Sequence, residues 1–105
     1  MSKYHNLKVD SDGYTFDSKS EWRHYNDLVL RQRAGEIDDL VVHPRYKLIV
    51  NEELICSYVA DFAYVDIATM KLVIEDVKGV RTAVFIIKKK LMKAIHGVDV
   101  IEVGA

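Results

Sequence analysis

Apolar and polar positions along this chain follow three rhythms. In "LKVDSDGYTF" (7–16) a period of two is interrupted at Asp12-Gly13, which predicts a short hairpin. From about Lys19 to Ala34 the period lengthens. Trp22, Tyr25, Leu28 and Val29 form a helical stripe, Ser18 is placed to cap it with Glu21 three residues on, and Gly35 offers a stop. "LVVHPRYKLIV" (40–50) reads as extended chain broken at Pro44. "ICSYVADFAYVD" (55–66) and "KLVIEDVK" (71–78) read as two strands, the first apolar on both faces and so buried. A second helix is expected over Ala83–His96, with Val84, Ile87, Leu91, Ala94 and Ile95 inward and Lys89, Lys90 and Lys93 outward. "VDVIEV" (98–103) closes as a strand. The implied class is α/β: a small mixed sheet flanked by helices, with an N-terminal β-hairpin.

Composition changes this picture little. A chain of 105 residues holds one modest core, so 1–105 reads as a single domain. A net charge of −1 gives no overall pull toward nucleic acid, but the charge is segregated. No acid occurs between Val77 and Val98, where Lys78, Arg81, Lys88, Lys89, Lys90 and Lys93 fall. Acids dominate Lys47–Asp76. Such a pairing suits a metal beside a phosphate ligand, and also chance segregation. Cys56 stands alone, which excludes a disulfide framework or zinc quartet. "MSKYHNLKVD" carries no hydrophobic signal core and no apolar run nears membrane-spanning length, so a cytoplasmic location is expected. The absence of a Gly-rich phosphate loop or nucleophilic Ser or Cys arrangement disfavours NTPases and acyl hydrolases.

The chemistry concentrates in the two middle strands. A turn at Ala68-Thr69 places Asp61 directly across from Asp76 on one sheet face, and strand alternation puts Lys78 there too. Glu75 points the other way unless a bulge shifts the count. Two carboxylates ~4 Å apart repel by about 4 kcal/mol at an effective dielectric near 20, a large share of a domain stability of about 5–15 kcal/mol. Such a pair needs a shared proton, a basic partner or a cation. Lys78 offsets one charge, and a hard divalent ion such as Mg²⁺ offsets the rest. Glu21 lies roughly 50° round the first helix from the apolar stripe, on the edge of the buried face. It also fits a capping box with Ser18, and the two roles are compatible.

Glu21 on a helix, Asp61 on a buried strand and Asp76-Val77-Lys78 on its partner resemble the E…D…(D/E)xK site of the PD-(D/E)XK nuclease superfamily. The segments "KYHN…DGYTFDSKSEWRHY…LVVHPRYKL…YVADFAYVD…KLVIEDVKG" are similar to a family of small phage-encoded proteins of unknown function assigned to that superfamily, which would place the chain in a host cytoplasm. Ala60 replaces the proline of the superfamily name, and His43 stands where Gln is more usual. Asp17-Ser18-Lys19 is a second (D/E)-x-K match without a facing acid; Asp61, the hairpin register, and Gly79 followed by a basic helix distinguish the first.

The resemblance implies a restriction-endonuclease-like core and a metal-dependent DNA endonuclease. Glu21, Asp61 and Asp76, with the carbonyl of Val77, would hold one or two Mg²⁺ (or Mn²⁺) ions, and Lys78 would act on the attacking water. Lys19, Arg81, Lys88, Lys89, Lys90 and Lys93 are the candidate DNA contacts, although a lysine run is more often a solvated helix face. A homodimer acting on branched or junction DNA is the expected form. The rival is a nucleic-acid-binding or assembly module that keeps the fold without catalysis. His5, His24, His43 and His96 lack metal-ligand spacing and read as surface or packing residues. Tyr58, Phe62 and Tyr64 read as core on one strand face, and Trp22 as a core anchor.

Overall fold

The computed structural model describes residues 8–78 and 80–104. The expectations for His5 and Gly79 therefore lie outside the described residues. The elements are β1 (Val9–Ser11), β2 (Tyr14–Phe16), α1 (Lys19–Arg33), β3 (Ile37–Val42), β4 (Arg45–Val50), β5 (Glu53–Val59), β6 (Phe62–Asp66), β7 (Lys71–Lys78), α2 (Ala83–His96) and β8 (Ile101–Gly104). No helix among the described residues is long and apolar enough to cross a membrane.

Local chemistry accounts for the first elements. Asp12 and Gly13 take φ of 55° and 82°, the left-handed pair that a type I′ hairpin turn demands. The Tyr25 hydroxyl donates to Asp12 Oδ2 at 2.9 Å, tying the hairpin to α1. Ser18 Oγ accepts from the Glu21 amide at 3.1 Å, and Gly35 leaves the helix at φ 79°.

The main sheet runs β3-β6-β7-β8. β6 and β7 are antiparallel and pair Phe62 with Glu75 and Asp66 with Lys71 without a bulge. Their connection is a longer turn, residues 67–70, but its centre falls at Ala68-Thr69 and the register is the expected one. α2 then crosses over so that β8 lies parallel to β7. α1 covers one face, closing a core of Phe16, Tyr25, Leu28, Ile37, Phe62 and Tyr64. α2 closes the other against Leu48, Tyr58, Ala63, Ile74 and Val100.

Three expectations need correction. "ICSYVADFAYVD" is two strands: β5 pairs with β4 in a separate ribbon, and only β6 joins the main sheet. The cause is Pro44, which cannot donate to a ladder. The chain breaks there and the neighbouring strand bends with it, stitched by His43 N to Asp61 O (2.9 Å) and Ala60 N to Pro44 O (3.0 Å). Leu54, Ile55 and Val59 are consequently exposed. The same break puts Tyr58 in the α2 core and Phe62 and Tyr64 in the α1 core, so the three share no face although all are buried. Finally, α2 is rotated from the expected stripe. Phe85 and Met92, the bulkier pair, are buried, with Leu91 and Ile95 at the edge, while Val84, Ile87 and Ala94 are exposed. Trp22 packs on the α1 core only partly buried, with its Nε1 lacking a partner among the described residues.

Candidate functional site

The bend between β5 and β6 creates the site. Asp61 sits at that bend, between the end of β5 and the start of β6. Its Oδ2 accepts from the Val77 amide at 2.7 Å, which locks it against β7. The Asp61 N–H donates to the Glu75 carbonyl at 3.1 Å, extending the ladder so that Asp61 lies beside Asp76. The Asp76 carboxyl is near enough to help raise that of Asp61. Lys78 Nζ is 3.2 Å from Asp76 Oδ1 and lies over the Phe85 ring, 4.3 Å from its centroid. The Tyr58 hydroxyl donates to the other Asp76 oxygen.

Glu21 reaches this group from α1. Although its amide is capped by Ser18, its buried carboxylate accepts from His43 Nε2 at 2.7 Å. Glu21, His43 and Asp61 each offer a ligand atom within 4.8 Å of the others. Asp61 is therefore shared by two sets, Glu21/His43 on one side and Asp76/Lys78 on the other. Val77 lies within the site, with its amide committed to Asp61.

The electrostatics follow from this crowding. Burial pushes the Asp61 carboxyl up to about 8, and the hydrogen bond and charge of Asp76 and the nearby Glu21 add to the rise, against the Val77 N–H. The Tyr58 hydroxyl is raised by burial and by its bond to Asp76. Three acids crowd beside one ammonium, and ionising Asp61 leaves an excess of negative charge that a hard divalent cation with oxygen ligands would relieve. The donor set fits such an ion, and His43 adds a nitrogen that Mn²⁺ accepts more readily than Mg²⁺.

Glu75 belongs to a different cluster on the opposite sheet face. Its Oε1 accepts from His24 Nε2 at 2.7 Å and its Oε2 from the Tyr64 hydroxyl at 2.8 Å. Burial works to raise Glu75, but these bonds overcome it and hold the carboxyl below its usual range.

The candidate DNA contacts divide. Lys88 lines a cavity beside Asp76 and Lys78. Arg81 Nε and Lys89 Nζ instead grip Glu102, at 2.7 and 2.8 Å, and Lys93 Nζ meets Asp99 at 3.1 Å. Lys90 and Lys19 are exposed. The expected surface or packing role for His43, shared with His24 and His96, missed its place in the site. His43 and Glu21 are 22 residues apart on different elements, so no local spacing links them. The signals in the sequence were the place of His43 before Pro44 and its standing where Gln is more usual; the structure adds a φ of 55°, a region sparsely used except by residues such as His, Asn and Asp. His24 is likewise a carboxylate partner, and His96 bonds to the Lys47 carbonyl.

No curated protein and no solved structure matches the chain. Residues 1–100 match the model of a family described as a protein of unknown function, and the chain therefore belongs to that family, DUF1064.

Proposed function

We propose that the protein is a divalent-metal-dependent DNA endonuclease that hydrolyses phosphodiester bonds in DNA, branched or junction DNA being the first substrate to test. The observation that carries this reading is the placement of the Asp61 carboxyl between Asp76 and Glu21, with Lys78 Nζ 3.2 Å from Asp76. A structural role alone gives no reason to gather three acids on one buried spot at such electrostatic cost. The likeness of Glu21, Asp61 and Asp76-Val77-Lys78 to the PD-(D/E)XK site supports the same reading.

In this reading Glu21, Asp61, Asp76 and the Val77 carbonyl hold one or two Mg²⁺ or Mn²⁺ ions. A bound divalent ion supplies Lewis-acid polarisation of the phosphate and a more acidic water. The remaining steps belong to the chain. Lys78, steadied by Asp76 and the Phe85 face, orients the attacking water and stabilises charge that develops on the phosphate oxygens. Water adds to phosphorus, the bond to one ester oxygen breaks, and that oxygen leaves as a hydroxyl after protonation. Tyr58 and the Val77 amide hold Asp76 and Asp61 in fixed orientation. His43 does the same for Glu21.

The test incubates supercoiled plasmid, linear duplex, single strands and a four-way junction with Mg²⁺ or Mn²⁺, with and without chelator. Metal-dependent cutting that disappears in Asp61→Ala and Lys78→Ala, both still folded by circular dichroism, is the expected result. Full activity in either variant defeats the assignment. Binding without cutting favours the non-catalytic module.

A further inference from the structure

A cavity of about 410 Å³ opens beside Asp76, between β5, the start of β4 and the first turns of α2. Its volume falls in the range of roughly 300–1,000 Å³ typical of small-ligand sites. Arg45, Lys78 and Lys88 bring three cations to its wall against the single acid Asp76. Among the described residues neither Arg45 nor Lys88 forms an ion pair, unlike Arg81, Lys89 and Lys93 on the other side of α2. Ser57 and Thr82 add hydroxyls to the wall. Thr82 Oγ1 accepts from the Phe85 amide at 3.1 Å, which leaves its O–H free to donate.

The opposite character is also present. Val59 and Val84 line the same cavity and are 47% and 61% exposed, so its wall has an apolar part open to a ligand. Excess positive charge with hydroxyl donors selects an anion rich in oxygen acceptors. An exposed valine pair selects a ligand that also has an apolar face. Inorganic phosphate meets only the first demand and a nucleoside only the second.

We propose that this cavity is a subsite for one 5′-phosphorylated nucleotide unit. Arg45 and Lys88 hold its phosphate, and the sugar and base rest on Val59 and Val84. Arg45 presents two N–H groups in a plane to the phosphate, and Lys88 a point charge. The location, sharing Asp76 and Lys78 with the proposed metal site, makes the unit the neighbour of the phosphodiester that is cut. That last step rests on the nuclease reading; the binding itself does not.

The probe is thymidine 5′-monophosphate, titrated calorimetrically into the full chain in chelator, beside inorganic phosphate and thymidine. The monophosphate should bind at least tenfold more tightly than either fragment. Arg45→Ala/Lys88→Ala should lose at least tenfold of that affinity, with Arg45→Lys between. In the wild-type chain, the monophosphate should shift the methyl resonances of Val59 and Val84, a readout that needs no variant. In cutting assays the double variant should raise KM more than it lowers kcat. Unchanged affinity in the double variant, unmoved valine methyls, or phosphate binding as tightly as the nucleotide overturns the subsite. A wild-type chain that binds the nucleotide through Arg45 and Lys88 but cuts no DNA keeps the subsite and removes the nuclease. Cutting with an unaltered KM in the double variant does the reverse.

Discussion

His43 Nε2 lies 2.7 Å from Glu21 Oε1, so the residue before Pro44 holds a buried carboxylate of α1. A carboxylate left in that position without a donor costs about 1–3 kcal/mol. His43→Ala should therefore destabilise the chain by about that amount, measured by chemical denaturation. Gln keeps an N–H donor, so His43→Gln should stay within about 1 kcal/mol of wild type. It should also retain metal-dependent cutting that His43→Ala weakens. Equal destabilisation by both variants would show that the hydrogen bond is not what His43 contributes.

Glu75 gives a separate acid-stability prediction. Its carboxyl is depressed in the folded chain, so the stability it contributes is full above its unfolded value of 4.5 and fades as pH falls through the lower folded value. Glu75→Gln should flatten the acid limb of a stability curve in that region. His24→Ala, which strips one donor from Glu75, should cost about 1–3 kcal/mol at neutral pH. A Gln variant with the wild-type acid limb would assign the limb to other carboxylates.

Much of this fold was legible because its signals are local. Ser18, Gly35 and the stripe through Tyr25 and Leu28 define α1, and Asp12-Gly13 defines the hairpin. The β6–β7 register was also readable, since alternation and a turn centre fix which residues face one another. Pro44 was visible as a break, but its effect on the neighbouring strand was not. A strand bends where its partner cannot donate, and pairing between residues far apart in the chain is invisible to periodicity. α2 failed for another reason. Two apolar stripes overlap on it, and the one buried carries the bulkier Phe85 and Met92 in place of Val84 and Ile87, a choice that periodicity does not make. In the site, Asp61 stood out as the lone charge in an apolar run. His43 carried no comparable mark, because its partner lies on an element the sequence does not join to it.

Glu102 tests whether Arg81 and Lys89 touch DNA. It accepts from both, at 2.7 and 2.8 Å, and their presence holds its carboxyl below the usual range. Removing this one negative charge frees two cations on the α2 flank. Glu102→Gln should tighten duplex binding severalfold at low salt. It should also steepen the dependence of log affinity on log salt by about 1 to 2, near the −0.9 expected per added phosphate contact. Fluorescence anisotropy across a salt series measures both. An unchanged slope would leave Arg81 and Lys89 as fasteners between α2 and β8.

Asp61 ties stability, pH and metal together. Its carboxyl ionises at 3.8 in the unfolded chain and about 8 in the folded one, burial being the main cause. Below 3.8 both states are protonated and its contribution is intact. As pH rises from there towards 8, the native state must hold a proton that the unfolded chain has released, so stability declines across that window. Asn keeps an oxygen for the Val77 amide and has no charge to bury. Asp61→Asn should therefore gain melting temperature over wild type, and the gain should grow with pH through the window. A divalent cation competes with that proton. Added Mn²⁺ should stabilise wild type more as pH rises and should do little for Asp61→Asn. Melting curves at stepped pH, with metal and with chelator, measure both effects. If the variant gains nothing at high pH, Asp61 is not the strained acid that the site depends on. If Mn²⁺ stabilises both chains alike, the ion is held elsewhere.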